Sequence, residues 1–182
     1  GATDLTAVDT LALNGTVSGA ASDLTTVAAA TSFGATTVGQ NLSVTATGAV
    51  SDTGKLAVTG TTGISAVGQT VILDDATNDF TGAVTVTGGA TTLKDANDLT
   101  VSLTTSGATD LTAVDTLTLN GTVSGVTSDL TTAATATSFG ATTVGQNLSV
   151  TASGSVSDTG KLAVADGAAG LLKNCRVMFV LD

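Results

Sequence analysis

The 182-residue sequence has no proline, histidine, tryptophan, tyrosine or glutamate, and only one cysteine, one methionine and four phenylalanines. Each shortage excludes something. Without histidine there is no imidazole base, and no serine or cysteine has the partner that nucleophilic catalysis needs. A single cysteine, Cys175, rules out an intrachain disulfide, so nothing depends on an oxidising compartment. So few aromatics cannot fill a thick globular core. Positive charge is scarce as well: four Lys and one Arg stand against fifteen Asp, for a net charge of -10, which argues against nucleic-acid or anionic-membrane partners. No apolar run approaches the length that spans a bilayer, so no membrane insertion is expected. Gly1 falls inside the pattern with no charged-then-apolar leader before it, so the chain reads as an excised piece.

What is present is threonine, 39 of it, with Val, Ala, Gly and Leu. Branched side chains of this size suit thin, regular β-structure. They are arranged as a repeat. Residues 1–58 return as 107–164, a shift of 106, with seven differences: Ala12/Thr118, Ala20/Val126, Ala21/Thr127, Val27/Ala133, Ala29/Thr135, Thr47/Ser153 and Ala49/Ser155. Self-similarity at a fixed period marks units that bury a core only by stacking.

Short alternating runs such as Leu24-Thr25-Thr26-Val27, Leu42-Ser43-Val44, Leu56-Ala57-Val58, Val84-Thr85-Val86 and Leu99-Thr100-Val101-Ser102-Leu103 read as strands, and no segment holds a helical apolar period. Asn14-Gly15, Gly39-Gln40-Asn41, Asp52-Thr53-Gly54 and Gly88-Gly89 punctuate them as corners. The leucines at 5, 24 and 42 recur at about 19 residues, and a shift of 106 divides into five coils of about 21. The expected fold is all-β, a single-stranded right-handed parallel β-helix (β-solenoid) of about 20-residue coils, eight or nine of them, roughly 40 Å long at the usual strand spacing. A sandwich of hairpins is the rival, but it has no need of a near-exact duplication. Alternation places Leu42 and Val44 inward and Ser43 and Thr45 outward. The domain expectation is a solenoid over 1–164 and an atypical tail over 165–182, which holds the only Cys, Met and Arg and reads either as an end cap or as a non-native extension.

Candidate chemistry is sparse. Asp52-Thr53-Gly54 and Asp158-Thr159-Gly160 imitate the paired triplets of aspartic proteases, whose two carboxylates must meet about 3 Å apart. In tandem copies five coils apart they would lie roughly 24 Å from each other, so corner turns are expected instead. Asp74-Asp75-Ala76-Thr77-Asn78-Asp79 offers oxygens to calcium but lacks the EF-hand spacing, and reads as a solvated loop. The segment 34–40 lacks the Gly-Lys-Ser/Thr ending of a phosphate loop and reads as strand and turn. Asn14, Asn41, Asn120 and Asn147 head glycosylation triplets that corner asparagines explain equally well. Thr-x-Thr pairs at Thr45/Thr47, Thr85/Thr87 and Thr116/Thr118 raise an ice-binding face, against which Thr118 is Ala12 and Thr47 is Ser153 in the other copies. No catalytic, cofactor-binding or metal residue is assigned, and no cofactor is expected.

The runs Asn41-Leu42-Ser43-Val44-Thr45-Ala46, 50–58 (Val-Ser-Asp-Thr-Gly-Lys-Leu-Ala-Val) and 78–86 (Asn-Asp-Phe-Thr-Gly-Ala-Val-Thr-Val) resemble the repeat region of large filamentous-haemagglutinin-type exoproteins. That resemblance implies a long right-handed parallel β-helix in a secreted or cell-surface bacterial adhesin. Neither a secretion domain nor an Arg-Gly-Asp triplet is present, so no binding site carries over. The expected role is a non-catalytic structural stalk or surface fragment, its partners a host surface or glycan, or neighbouring copies joined end to end. The alternative is a solenoid that binds ice or glycan through a flat Thr-rich face, and a hydrolase is remote.

Overall fold

The computed structural model describes residues 1–19 and 21–165, with the backbone alone at 170–171. Among these there is no helix, and every strand pairing is parallel. The chain winds through about eight coils of roughly 20 residues, each laying one strand on each of two sheets. The first sheet stacks Thr3–Thr6, Leu24–Ala28, Leu42–Ala46, Thr62–Ser65, Val84–Gly88, Leu99–Thr105, Thr116–Val123, Ala136–Val144 and Val156–Asp158. The second stacks Thr10–Val17, Ala30–Val38, Val50–Asp52, Val71–Leu73, Thr91–Asp95, Thr109–Ala113, Leu130–Ala134, Leu148–Ala152 and Gly170–Leu171.

The expected alternation holds. Leu42 and Val44 are buried at 2% and 1% exposure while Ser43 and Thr45 face solvent. Inward side chains line up coil upon coil into one continuous core, for example Thr31, Val50, Val71, Thr91, Thr109, Leu130 and Leu148 along the second sheet. Because the inward set is mostly Val, Leu, Ala and Thr, the sheets enclose a thin core and large aromatics are unnecessary. Phe33, Phe80 and Phe139 are the widest residues in it.

The duplication differs from the expectation in one respect. The offset between the copies is five and a half coils, not five, so each copy lies on the opposite sheet. Thr3–Thr6 belongs to the first sheet and its copy Thr109–Ala113 to the second; Leu42–Ala46 belongs to the first and Leu148–Ala152 to the second. The cause lies in residues 59–106, between the copies. Coil length is set by corners rather than by a fixed period: Val84 pairs with Thr62 behind it and with Val101 ahead of it, so the coil before Val84 is longer than the coil after it. The exchange is tolerated because both sheets carry the same alternation and bury side chains of the same size.

Two long strands bend. Ala30–Val38 pairs with Val50–Asp52 through its first half and with Leu56–Val58 through its second, and its copy Ala136–Val144 does the same with Val156–Asp158 and Leu162–Val164. At each bend a positive φ is required, and Gly15 (137°) and Gly121 (121°) supply it beside the register shift in the adjoining strand.

Corners are held by a ladder of Asx side chains. The Asp23 carboxylate accepts hydrogen bonds from the backbone and side-chain amides of Asn41, both 3.0 Å, and Asn41 Oδ1 in turn accepts from the Thr61 backbone amide and hydroxyl at 2.9 Å. Asp129 and Asn147 repeat the first of these steps. The recurring Asn-Leu-Ser-Val opening is therefore a corner cap followed by a strand. Of the tail expected over 165–182, all but Ala165 and the short strand at 170–171 lies outside the described residues, and so does Cys175.

Candidate functional site

Asp52 and Asp158 do not meet. Asp52 ends a strand of the second sheet and Asp158 a strand of the first, five and a half coils apart, or roughly 26 Å at the usual spacing. Each triplet forms a corner instead: the backbone amides of Thr53 and Thr159 donate to the carbonyls of Phe33 and Phe139 at 2.7 Å, and both threonine hydroxyls reach the same carbonyls. Asp158 is exposed and accepts from the Gly160 amide. Segment 34–40 completes the bent strand and its following corner, as expected.

The Asp-rich loop does more than the expected solvated turn. The Asp52 carboxylate accepts from the backbone amides of Asp74 (3.1 Å) and Asp75 (3.3 Å) in the next coil, and from the side-chain amide of Asn78. Asn78 is fully buried; its Oδ1 accepts from the Leu56 amide at 2.7 Å and its backbone carbonyl from the Ala96 amide at 2.8 Å. One coil further, Asp95 is 2% exposed and accepts from the amides of Phe80 (3.1 Å) and Asn97 (2.9 Å). Burial pushes the Asp95 pKa up to about 6 against those two hydrogen bonds, and the neighbouring Asp79 and Asp98 charges add to the rise. Asp75 goes the other way, held below its ordinary value by the hydroxyl and amide of Thr77. These groups act as a spine joining three coils where short strands end. Their acceptors are occupied by backbone and side-chain donors of the same chain, and among the described residues no three His, Cys, Asp or Glu side chains converge to hold a metal.

The second candidate is a surface. The seven successive first-sheet strands from Leu24–Ala28 to Ala136–Val144 contain no Asp, Lys or Arg, although the second sheet carries Asp52, Lys94, Asp95 and Asp110 in its strands. Strand register aligns Thr45, Ser65, Thr87, Thr104, Thr122 and Thr143 in one outward row. A parallel row two residues back holds Thr25, Ser43, Gly63, Thr85, Ser102 and Asn120. Gly63 leaves a shallow open depression of about 250 Å³ between Ser43, Thr45, Ser65, Thr85 and Thr87.

Of the three Thr-x-Thr pairs, the structure places only Thr85/Thr87 across both rows. Thr47 lies past its strand at a corner, and the Thr116 amide is bonded to Asp98 at another. Thr104, Thr122 and Thr143, which complete the long row, were not legible as pairs, because the row runs across coils and only register assembles it. Asn41 and Asn147 have their side-chain amides committed to the corner ladder, while Asn120 accepts from Ser102 Oγ at 3.3 Å.

The pattern of a family described as Repeats of unknown function (DUF5649) matches residues 21–87 and 127–174. The chain belongs to this family. The two DUF5649 matches begin at Ala21 and Thr127, equivalent positions 106 apart that open the same corner in each copy. Equivalent strands of the DUF5649 pattern thus lie on opposite sheets in its two occurrences. No curated protein matches the chain, and no solved structure does.

Proposed function

We propose that the chain is a structural, non-catalytic spacer, a rigid segment of a secreted bacterial surface protein. The observation that carries this reading is the pair of unbroken parallel ladders running from Thr3 to Val164, in which each coil is hydrogen-bonded to the next and the core is continuous. Such a body transmits position along one axis and contacts only its neighbours. The resemblance of 41–46, 50–58 and 78–86 to filamentous-haemagglutinin-type adhesin repeats supports the secreted or cell-surface setting, with a host surface, a glycan or neighbouring copies end to end as partners.

The test is a length series. Inserting a further copy of 59–164 after Val164 should lengthen the particle by roughly 26 Å at constant cross-section, read by small-angle scattering, with circular dichroism remaining wholly β. A particle that thickens instead, or that gains helix, would overturn the spacer reading.

A further inference from the structure

We infer that the outer face of the first sheet is an ice-binding surface, with Thr45, Ser65, Thr87, Thr104, Thr122 and Thr143 as its contact row and Ser43, Thr85 and Ser102 beside it. The inference goes beyond the spacer role and does not depend on it.

Three observations carry it. The six hydroxyls of the row are consecutive in register, and among the described residues none hydrogen-bonds within the chain. They stand free to bond to an external lattice. Their spacing is itself a lattice: roughly 4.8 Å from coil to coil and roughly 6.8 Å between the two rows along each strand. Threonine holds this spacing well, because its branched Cβ restricts χ1 and fixes hydroxyl and methyl together. Finally, the face is free of charge across seven strands in a chain of net charge -10. Exposed Asp or Lys would hold water in shells that do not match an ordered solid; across these seven strands there are none, and on the first sheet such groups sit only in its two end strands, at Asp4 and Asp158, among the described residues.

The same face is poorly suited to other occupants. A glycan is usually gripped by stacking on aromatics, and all the described phenylalanines are buried. A protein partner would seek aromatic or arginine anchors, and the face has none. A water lattice needs only regularly placed hydroxyls and small apolar groups, which is what the face offers. Val27 and Asn120 interrupt the rows toward either end, and Gly63 forms a dip near the middle, so the best ordered part runs from Thr85/Thr87 to Ser102/Thr104.

The experiment grows an ice front slowly through a dilute solution of the whole chain and compares protein in the ice with protein left in the liquid. The wild type should be enriched in ice several-fold over an inert acidic control protein. Thr87→Lys and Thr104→Lys should each return it to the control level. Thr92→Lys, on the opposite sheet, should leave enrichment unchanged. Unaltered circular dichroism and denaturation midpoints confirm that the variants fold. Exclusion of the wild type from ice overturns the inference, as does equal loss from Thr92→Lys; retention on an insoluble polysaccharide combined with exclusion from ice would assign the face to glycan instead.

Discussion

Leu42 and Leu148 occupy the same place in two nearly identical stretches of sequence, and both are core residues, at 2% and 5% exposure, yet they enter that core from opposite sheets. The repeat thus encodes strands with an inside and an outside, and carries no instruction about which sheet each of them joins.

Leu42→Ala should therefore cost about 2 to 5 kcal/mol, the usual range for a buried leucine that leaves a cavity, and Leu148→Ala a similar amount. Thr45→Ala should stay within about 0.5 kcal/mol, as an exposed change. The two leucines share no partner across five and a half coils, so the double variant should be additive. Chemical denaturation midpoints check all three; a Thr45→Ala variant more harmful than Leu42→Ala would reverse every inward assignment.

Gly15 and Gly121 are copies with nearly the same positive φ, but only Gly121 has another coil beneath it. A Cβ at Gly121 would run into the Leu103 carbonyl oxygen, whereas at Gly15 it meets nothing within 4 Å. Both alanine variants bear the backbone strain of about 1 to 3 kcal/mol. Gly121→Ala should add a steric penalty of comparable size and be clearly the less stable of the two. Equal midpoints would mean that Leu99–Thr105 does not stack on Thr116–Val123.

Asp95 predicts a pH dependence. Its folded pKa of about 6 lies above the ordinary 3.8, so the folded state binds the proton more tightly. Its contribution is then fully present below about pH 4 and is lost as pH rises through about 6. Asp75, with a lowered pKa, has the opposite sign: its contribution is present above the ordinary 3.8 and is lost only as pH falls below that value. Between pH 4 and 7 the melting temperature of the wild type relative to Asp95→Asn should therefore fall as pH rises. A constant difference across that window would show that Asp95 is solvated.

Much of this architecture was open to a reader of the sequence. Alternation at Leu42-Ser43-Val44-Thr45 determined the inward and outward faces, because a strand's side chains have a period of two whatever they pair with. Most of the Gly and Asn punctuation marked where corners fall, since few other residues turn so tightly, but Asn14-Gly15 and its copy Asn120-Gly121, expected as corners, lie inside the strands Thr10–Val17 and Thr116–Val123 at a register shift; the scarcity of aromatics determined that the body must be thin. Register was decided only by the folded chain. The unequal coils on either side of Val84 arise from how each corner packs on the one below, so neither the half-coil offset between copies nor the row from Thr45 to Thr143 can be counted off along the sequence. The same holds for Asn78 and Asp95. In sequence they are ordinary polar residues of loop and strand end; it is the stacking of neighbouring coils that seals them from water and joins them to amides of other coils, and burial of a charge or an acceptor is a property of what lies above and below it.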